Sequence, residues 1–389
     1  MAIPPTSSTF EQSEIGFELR RPSSLSGVEL DAYLARGWYR QGQGVFTTYA
    51  TIGERKLMAA PWIRLDTGDY QLGKNLRRLK SKNDRRLRHE IRPARYDQER
   101  VEMFEDFREI FKGDFYNSLE SALFCYQSQG RSIFDTYEVV FYRDDELIGF
   151  SYFDLGSDSV ASILNIYSPE YLEYSLGMYS ILLQLEWAQE KGLRYYYPGY
   201  AMPENPRFDY KLRIKGVQFL DLQDQGWKPW DQFSLEDCPL YTCRRALYAA
   251  RQRFQEEGLE WGLVIYFNHS NPCEKLTDDL GLRHFSQPMF LSADFSNQDS
   301  GLLVDYDLRS RSYRLLKISY HQHPPYPNDH LEYDPTQVAF PIAFDVADHG
   351  ILGLITIDEV MWASPDIEQI LNALYRDPPQ YVPWMALGD

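Results

Sequence analysis

Cysteine is scarce in this chain: Cys125, Cys238, Cys243 and Cys273 are the only four in 389 residues, and no two of them form a C-x-x-C pair. Cys238 and Cys243 also lack a histidine at ligand spacing, so the common zinc and iron–sulfur frameworks are excluded. Such scattered thiols suit a reducing compartment, and a cytoplasmic location is expected. No stretch is long or apolar enough to form a membrane-spanning helix. The small, Pro/Ser-rich stretch Ala2–Ser8 lacks the basic start and apolar run of a signal peptide, and residues 1–25 are expected to be a flexible tail. No repeat of solenoid period occurs. Positive charge is also in deficit, with 40 Lys and Arg against 57 Asp and Glu, a net of −17. From Gln232 onward 23 acids face 11 bases, a net of −12, which leaves −5 for residues 1–231. An acidic region of that kind repels nucleic acid, so 232–389 is read as a structural, regulatory or docking domain of α+β type.

Aromatic residues, by contrast, are abundant. The chain has 29 Tyr and 22 Phe within a 43% apolar composition, enough for real cores in two or three domains. The densest pattern runs from Tyr167 to Lys211. Ser175 is placed to cap a helix whose apolar face is Ile181, Leu182, Leu185, Trp187 and Ala188. Lys191-Gly192 stops that helix. Val160–Tyr167 before it and Arg194–Tyr197 after it read as strands, which makes a βαβ unit with a parallel pair. On periodicity alone, this is an ordinary βαβ unit with an aromatic edge. Gly226–Ser234, with Trp227, Pro229 and Trp230, marks a boundary. Beyond it, Tyr241–Glu257 and Asp366–Tyr375 read as helices. Leu263–Phe267, Leu302–Tyr306 and Tyr313–Tyr320 read as strands, with a turn at Arg309–Ser312. His321 and His323, with Asp329 and His330, raise the idea of a metal site, but a loop stiffened by Pro324 and Pro325 explains the motif more simply.

The scarce positive charge is concentrated in one place. Between residues 74 and 95 stand ten cations and only two acids, Asp84 and Glu90. Lys74, Arg77, Arg78, Arg85 and Arg88 recur at helical spacing, which presents a basic face to a phosphate backbone. The plainer alternative is a solvated basic helix neutralised by the acidic remainder.

Taken in order, these motifs resemble the arginyl- and leucyl-tRNA–protein transferases. The run Gly73-Lys74-Asn75-Leu76-Arg77-Arg78-Leu79-Lys80-Ser81-Lys82-Asn83 is similar to the family pattern Ser-Lys/Arg-Ser-Gln-Arg-Arg-x-x-x-Lys/Arg-Asn, departing at Gly73, Asn75 and Leu76. Upstream, Leu34-Ala-Arg-Gly37-Trp38-Tyr39-Arg40 follows the family's Leu-x-x-Gly-Phe-Arg-Arg. Downstream come Ser175-Leu176-Gly177, Gly199-Tyr200 and Tyr210-Lys211. The resemblance covers roughly residues 28–230. It implies an α/β (α+β) fold of acetyltransferase-like (GNAT) lobes, with mixed sheets flanked by helices, over 26–130 and 131–231. It also implies transfer of arginine or leucine from aminoacyl-tRNA to the N-terminal amine of a protein starting with Asp or Glu, the chemistry of the N-end rule. The implied partners are aminoacyl-tRNA and the acceptor N-terminus, with no membrane and no cofactor. The implied tRNA contacts are Lys74, Arg77, Arg78, Lys82 and Arg85. Tyr200 and Tyr210 are implied as catalytic, and Lys211, Tyr167, Ser175, Gly177 and Tyr179 as substrate-binding.

The family's N-terminal cysteine cluster is missing, since Thr47–Leu65 holds no cysteine. No metal centre is therefore expected in the N-terminal half, where Leu57, Met58, Pro61, Trp62 and Ile63 would pack instead. The same loss, with Tyr174 where the family carries Arg, supports an alternative: a degenerate member that binds without chemistry. An acyl-CoA N-acyltransferase is a second alternative. However, Glu173-Tyr174-Ser175-Leu176-Gly177 has one glycine and an acid where a pyrophosphate would lie. A peptidoglycan aminoacyl transferase is a third, without that family's own pattern.

Overall fold

A computed structural model describes residues 15–53, 56–68, 70–111, 116–125, 132–266, 283–293, 300–321, 349–351 and 354–376. Cys273, His323, Asp329, His330 and Ala2–Ser8 lie outside the described residues. The chain forms two compact units: the first holds Leu19–Thr48 and Ala60–Ser234, the second Gln12–Glu18, Tyr49–Ala59 and Leu235–Asp389.

The first unit opens with short strands β1 (Glu18–Arg20, whose first residue is counted with the second unit), β2 (Tyr39–Gln41) and β3 (Gly44–Thr47), and with helix α1 (Gly27–Leu34). A capping box closes the start of α1: Ser26 accepts from the Glu29 N–H, and Glu29 accepts from the Ser26 N–H. In the second unit, β4 (Ala50–Gly53) and β5 (Lys56–Ala59) form a hairpin. The first unit resumes with β6 (Trp62–Asp66), α2 (Lys74–Asp84), β7 (Arg88–Pro93), α3 (Gln98–Ile110) and α4 (Leu119–Phe124). It continues through β8 (Thr136–Arg143), β9 (Glu146–Leu155), β10 (Ser159–Tyr167), α5 (Leu176–Glu190), β11 (Tyr195–Tyr200), β12 (Gln218–Asp221) and β13 (Gly226–Pro229). The eight strands from β6 on form one sheet in the order β13-β12-β6-β11-β10-β9-β8-β7. The expected lobes 26–130 and 131–231 therefore share a sheet, because β6 and β7 pair with strands from beyond residue 131.

That sheet is mixed. Its antiparallel ladders are interrupted by one parallel pair, β10 with β11, joined by α5, as the βαβ reading requires. Alternation along β8 sends Val139 and Phe141 into the core under α5, and Val140 into the core under α3 and α4. Helix α5 is buried almost all round rather than amphipathic, Gln184 included. The Gln184 amide donates to Ser151 Oγ at 2.8 Å and accepts from the Tyr196 hydroxyl at 2.9 Å. This satisfaction makes a polar residue tolerable there.

In the second unit, helix α6 (Pro239–Glu256) precedes β14 (Gly262–Tyr266), β15 (Arg283–His284), β16 (Met289–Ser292), β17 (Ser300–Asp307), β18 (Ser312–His321), β19 (His349–Ile351), β20 (Leu354–Ser364) and α7 (Ile367–Arg376). Its seven strands run in the order β15-β20-β18-β17-β16-β14-β19. The inserted segments are pinned within this unit: Tyr49 donates to Gln287 Oε1 at 2.9 Å, and Gln287 Nε2 donates to the Ile15 carbonyl at 2.9 Å. No helix among the described residues is long and apolar enough to cross a membrane.

Candidate active site and nucleic-acid face

Helix α2 has two faces. Leu76, Leu79, Lys80 and Asn83, at i, i+3, i+4 and i+7, are half-buried or buried. Lys74, Arg77, Arg78, Lys82 and Arg85 follow the same spacing on the other side and are exposed, as is Arg86. None of these six cations has an ion pair among the described residues. The neighbouring cations differ. Lys80 is held by Asp84 at 3.0 Å and Glu186 at 2.9 Å. The helix ends at Asp84, so Arg88 falls on β7, where it pairs with Glu90 and Asp145 and leaves the basic face. Arg92 is spent on Glu90 and Glu138, each at 2.8 Å.

The second feature is a split in the sheet. Strands β10 and β11 pair only through Ser159–Tyr195, Val160–Tyr196 and Ala161–Tyr197. A bulge in β10 between Ser162 and Leu164 breaks its alternation. Val160 consequently lies in the core under α5, but Leu164 and Ile166 lie under α3 and α4. On β11, Pro198 offers no N–H where the register with β6 also shifts, between Tyr196 and Gly199. Tyr39, from β2, fills the first rung of the split. Its hydroxyl lies 2.5 Å from the Ser162 carbonyl and 2.6 Å from the Tyr197 carbonyl. Tyr39→Phe is expected to lower unfolding free energy by about 1–3 kcal/mol, because it removes the one buried O–H that the Ser162 and Tyr197 carbonyls share; urea denaturation measures it.

Beyond this rung the two strands deliver the aromatic residues and the lysine. Tyr200 ends β11, edge-on to Trp62 with centroids 5.4 Å apart and near-parallel to Phe208 at 6.4 Å. The Lys211 ammonium donates to the Tyr200 carbonyl at 3.0 Å and lies 5.3 Å from the Phe208 ring centre. Gly199 adopts φ +95°, and a Cβ there would stand 3.4 Å from Lys211 Nζ, so glycine suits both the backbone and the approach. Lys211 has no anionic partner among the described residues, and loss of hydration pulls its pKa down to about 8. Tyr210 packs beside the main core, where burial and then Tyr167 push its hydroxyl up to about 12. Tyr167 ends β10 edge-on to Phe107 at 5.2 Å, and its ring lies 4.0 Å from where a Gly177 Cβ would be. Tyr167, Gly177, Tyr200, Tyr210 and Lys211 therefore cluster about the carboxyl ends of the split pair, the position at which open α/β sheets take ligands.

Two sequence-derived residues stand differently from expectation. Ser175 does not cap α5: it adopts a left-handed conformation, φ 50° and ψ 50°, and its side chain makes no capping bond. A capping side chain needs an extended backbone to reach the first-turn N–H groups. Tyr179 is fully buried and donates to Asp84 Oδ1 at 2.7 Å, with His89 Nδ1 at 3.2 Å, so its hydroxyl faces α2 rather than the split. The side chains of Arg207 and Asp209 lie outside the described residues. Among the described residues no group of three or more His, Cys, Asp or Glu is placed to hold a metal. Leu57, Met58, Trp62 and Ile63 are buried. Sequence reasoning did not single out Tyr39; the only hint was its place after Gly37-Trp38.

Residues 95–221 match the family model described as arginine-tRNA-protein transferase, C terminus. Over those residues the first unit is similar to the aminoacyl-tRNA–protein transferases. Among curated relatives, an aspartate/glutamate leucyltransferase of Leptospira interrogans is 26% identical over 227 residues, covering 54% of this chain and 82% of that protein. One from Brucella suis is 26% identical over 218 residues, covering 52% and 84%. A tandem GNAT protein from the clavulanic acid pathway is similar at 11% identity, covering 55% of this chain and 60% of that one, with a TM-score of 0.27, too low to carry an argument. The split between β10 and β11 lies inside the matched segment, and the basic helix α2 precedes it.

Proposed function

We propose that this transferase moves leucine from leucyl-tRNA to the N-terminal α-amine of a protein that begins with Asp or Glu. The observation that carries this reading is Lys211, a cation without an anionic partner among the described residues, at the mouth of the split within the family-matched segment. An acceptor carboxylate supplies the missing anion. The names of the relatives favour leucine as donor, and the name of the family model keeps arginine as the second donor to test.

The reaction asks for positioning more than activation. The α-amine has an ordinary pKa near 7.7–8.0, so a useful fraction is neutral at physiological pH. It attacks the ester carbonyl, the ester C–O bond breaks, and the amine proton ends on the departing ribose hydroxyl. Neither a nucleophilic side chain nor a cofactor is required. Tyr210, like any tyrosine, is protonated at neutral pH, and burial pushes its pKa further up to about 12, so it serves as a donor to the developing oxyanion rather than as a base. Tyr200 is the second donor. The exposed face of α2 holds the tRNA backbone.

The test is a transfer assay with singly charged tRNAs and peptides starting with Asp, Glu, Lys or Ala. Label is expected to pass from leucyl-tRNA to the Asp and Glu peptides. Transfer from acetyl-CoA instead would replace this reading with an acyltransferase. Binding of tRNA without transfer would leave the degenerate one.

A further inference from the structure

Two consecutive residues at the end of α2 grip the start of α5. Asn83 is fully buried, and its Nδ2 donates to the Tyr174 carbonyl at 2.7 Å. Asp84 accepts from the Tyr179 hydroxyl at 2.7 Å. Residues 175–178 lie between these two anchors, and they are the uncapped first turn of α5, with Ser175 left-handed and Gly177 against Tyr167. Left-handed backbone is strained for a serine, and surrounding contacts must offset that strain. A further strut, Lys80 to Glu186, joins the same two helices at 2.9 Å. The basic face and the uncapped turn thus belong to one clamped assembly, in which α2 cannot shift along α5 without breaking these bonds.

We propose that Asn83, with Asp84 and Tyr179, is a positioning residue: it keeps the RNA-holding face of α2 in register with the first turn of α5, so that a tRNA seated on one presents its aminoacyl end at the other. The inference rests on the tRNA-dependent reading above. It names residues that touch neither the RNA backbone nor the reacting atoms. Asn83→Asp replaces the donating amide with a carboxylate facing the Tyr174 carbonyl, and Tyr179→Phe removes only the hydroxyl. Both variants leave the six exposed cations in place.

The experiment measures three quantities on the full chain: kcat for transfer, Kd for leucyl-tRNA, and amide hydrogen exchange over residues 174–180 in the free protein. In each variant kcat is expected to fall about 10- to 100-fold, the penalty of an ångström-scale misplacement. Kd should stay within about twofold, since the phosphate contacts persist. Exchange in the first turn of α5 should rise about tenfold. A purely structural role would lower kcat and tRNA affinity together, and that result overturns the proposal, as does an unchanged kcat. If the wild-type protein transfers nothing, the function falls, and exchange alone decides the clamp: faster exchange in Asn83→Asp upholds it, and unchanged exchange overturns it.

Discussion

Replacing Arg77, Arg78 and Arg85 together by alanine is expected to reduce the slope of log affinity against log salt for tRNA by about two to three. Each phosphate contact contributes about 0.7–0.9 to that slope through release of condensed counterions. Over a fourfold rise in salt the variant should therefore lose about 20- to 40-fold less affinity than the wild type does. The three side chains are exposed and carry no ion pair among the described residues, so removing them breaks no internal bond. Alanine is also the best helix former, and α2 should remain folded. The structure supplies its own control in Arg88 and Arg92, which are engaged by Glu90, Asp145 and Glu138. Alanine at either of these should leave the slope unchanged. Filter binding or fluorescence anisotropy across a salt series measures all of these variants, and an unaltered slope in the triple variant removes α2 from the RNA surface.

Lys211→Ala is expected to reduce transfer to Asp and Glu peptides by about 30-fold or more, the lower end of the cost of breaking a partly buried charge pair. Transfer to neutral peptides and tRNA affinity should change far less. Lys211→Glu should reverse the preference by placing like charges together. The pH dependence carries a sign of its own. Burial lowers the Lys211 pKa to about 8, so the ammonium that attracts the carboxylate is present below that value and lost above it. The ratio of kcat/KM for acidic over neutral peptides should fall as pH rises through about 8. Deprotonation of the attacking amine raises both rates alike and cancels in the ratio. In the complex the bound carboxylate stabilises the ammonium, so the corresponding ratio of kcat should hold to higher pH. A ratio that is flat with pH and indifferent to both variants would place acceptor recognition elsewhere.

What the sequence determined by itself is local or periodic. The exposed cations of α2 recur at i, i+3, i+4, i+8 and i+11, and a helix of 3.6 residues per turn puts them on one face wherever it packs. Gly192, at φ +71°, ends α5 as a glycine after a helix should. The βαβ order forces a parallel pair, because a connection through a helix returns the chain in the same direction. The hairpin β17–β18 was legible from its alternating residues and the turn at Arg309–Ser312.

Only the tertiary structure decided which of these charges were paired. Arg88 and Arg92 look equivalent to Arg77 in the sequence, but β7 lies next to β8, and Glu138 and Asp145 arrive from about fifty residues away. The hydrogen-bond partner of Tyr179 was decided in the same way, by Asp84 on a different helix. Ser175 carries the right side chain for a cap, but its backbone is left-handed and denies it the geometry. The split between β10 and β11 depends on a bulge, a proline and the hydroxyl of Tyr39, three features over 150 residues apart at their extremes that meet only when the sheet closes. The lowered pKa of Lys211 is a further case, since desolvation is a property of what surrounds the ammonium and not of the residue. Periodicity is written residue by residue, whereas pairing, strain and hydration are set by neighbours distant in the chain, and that difference separates what could be read from what had to be folded.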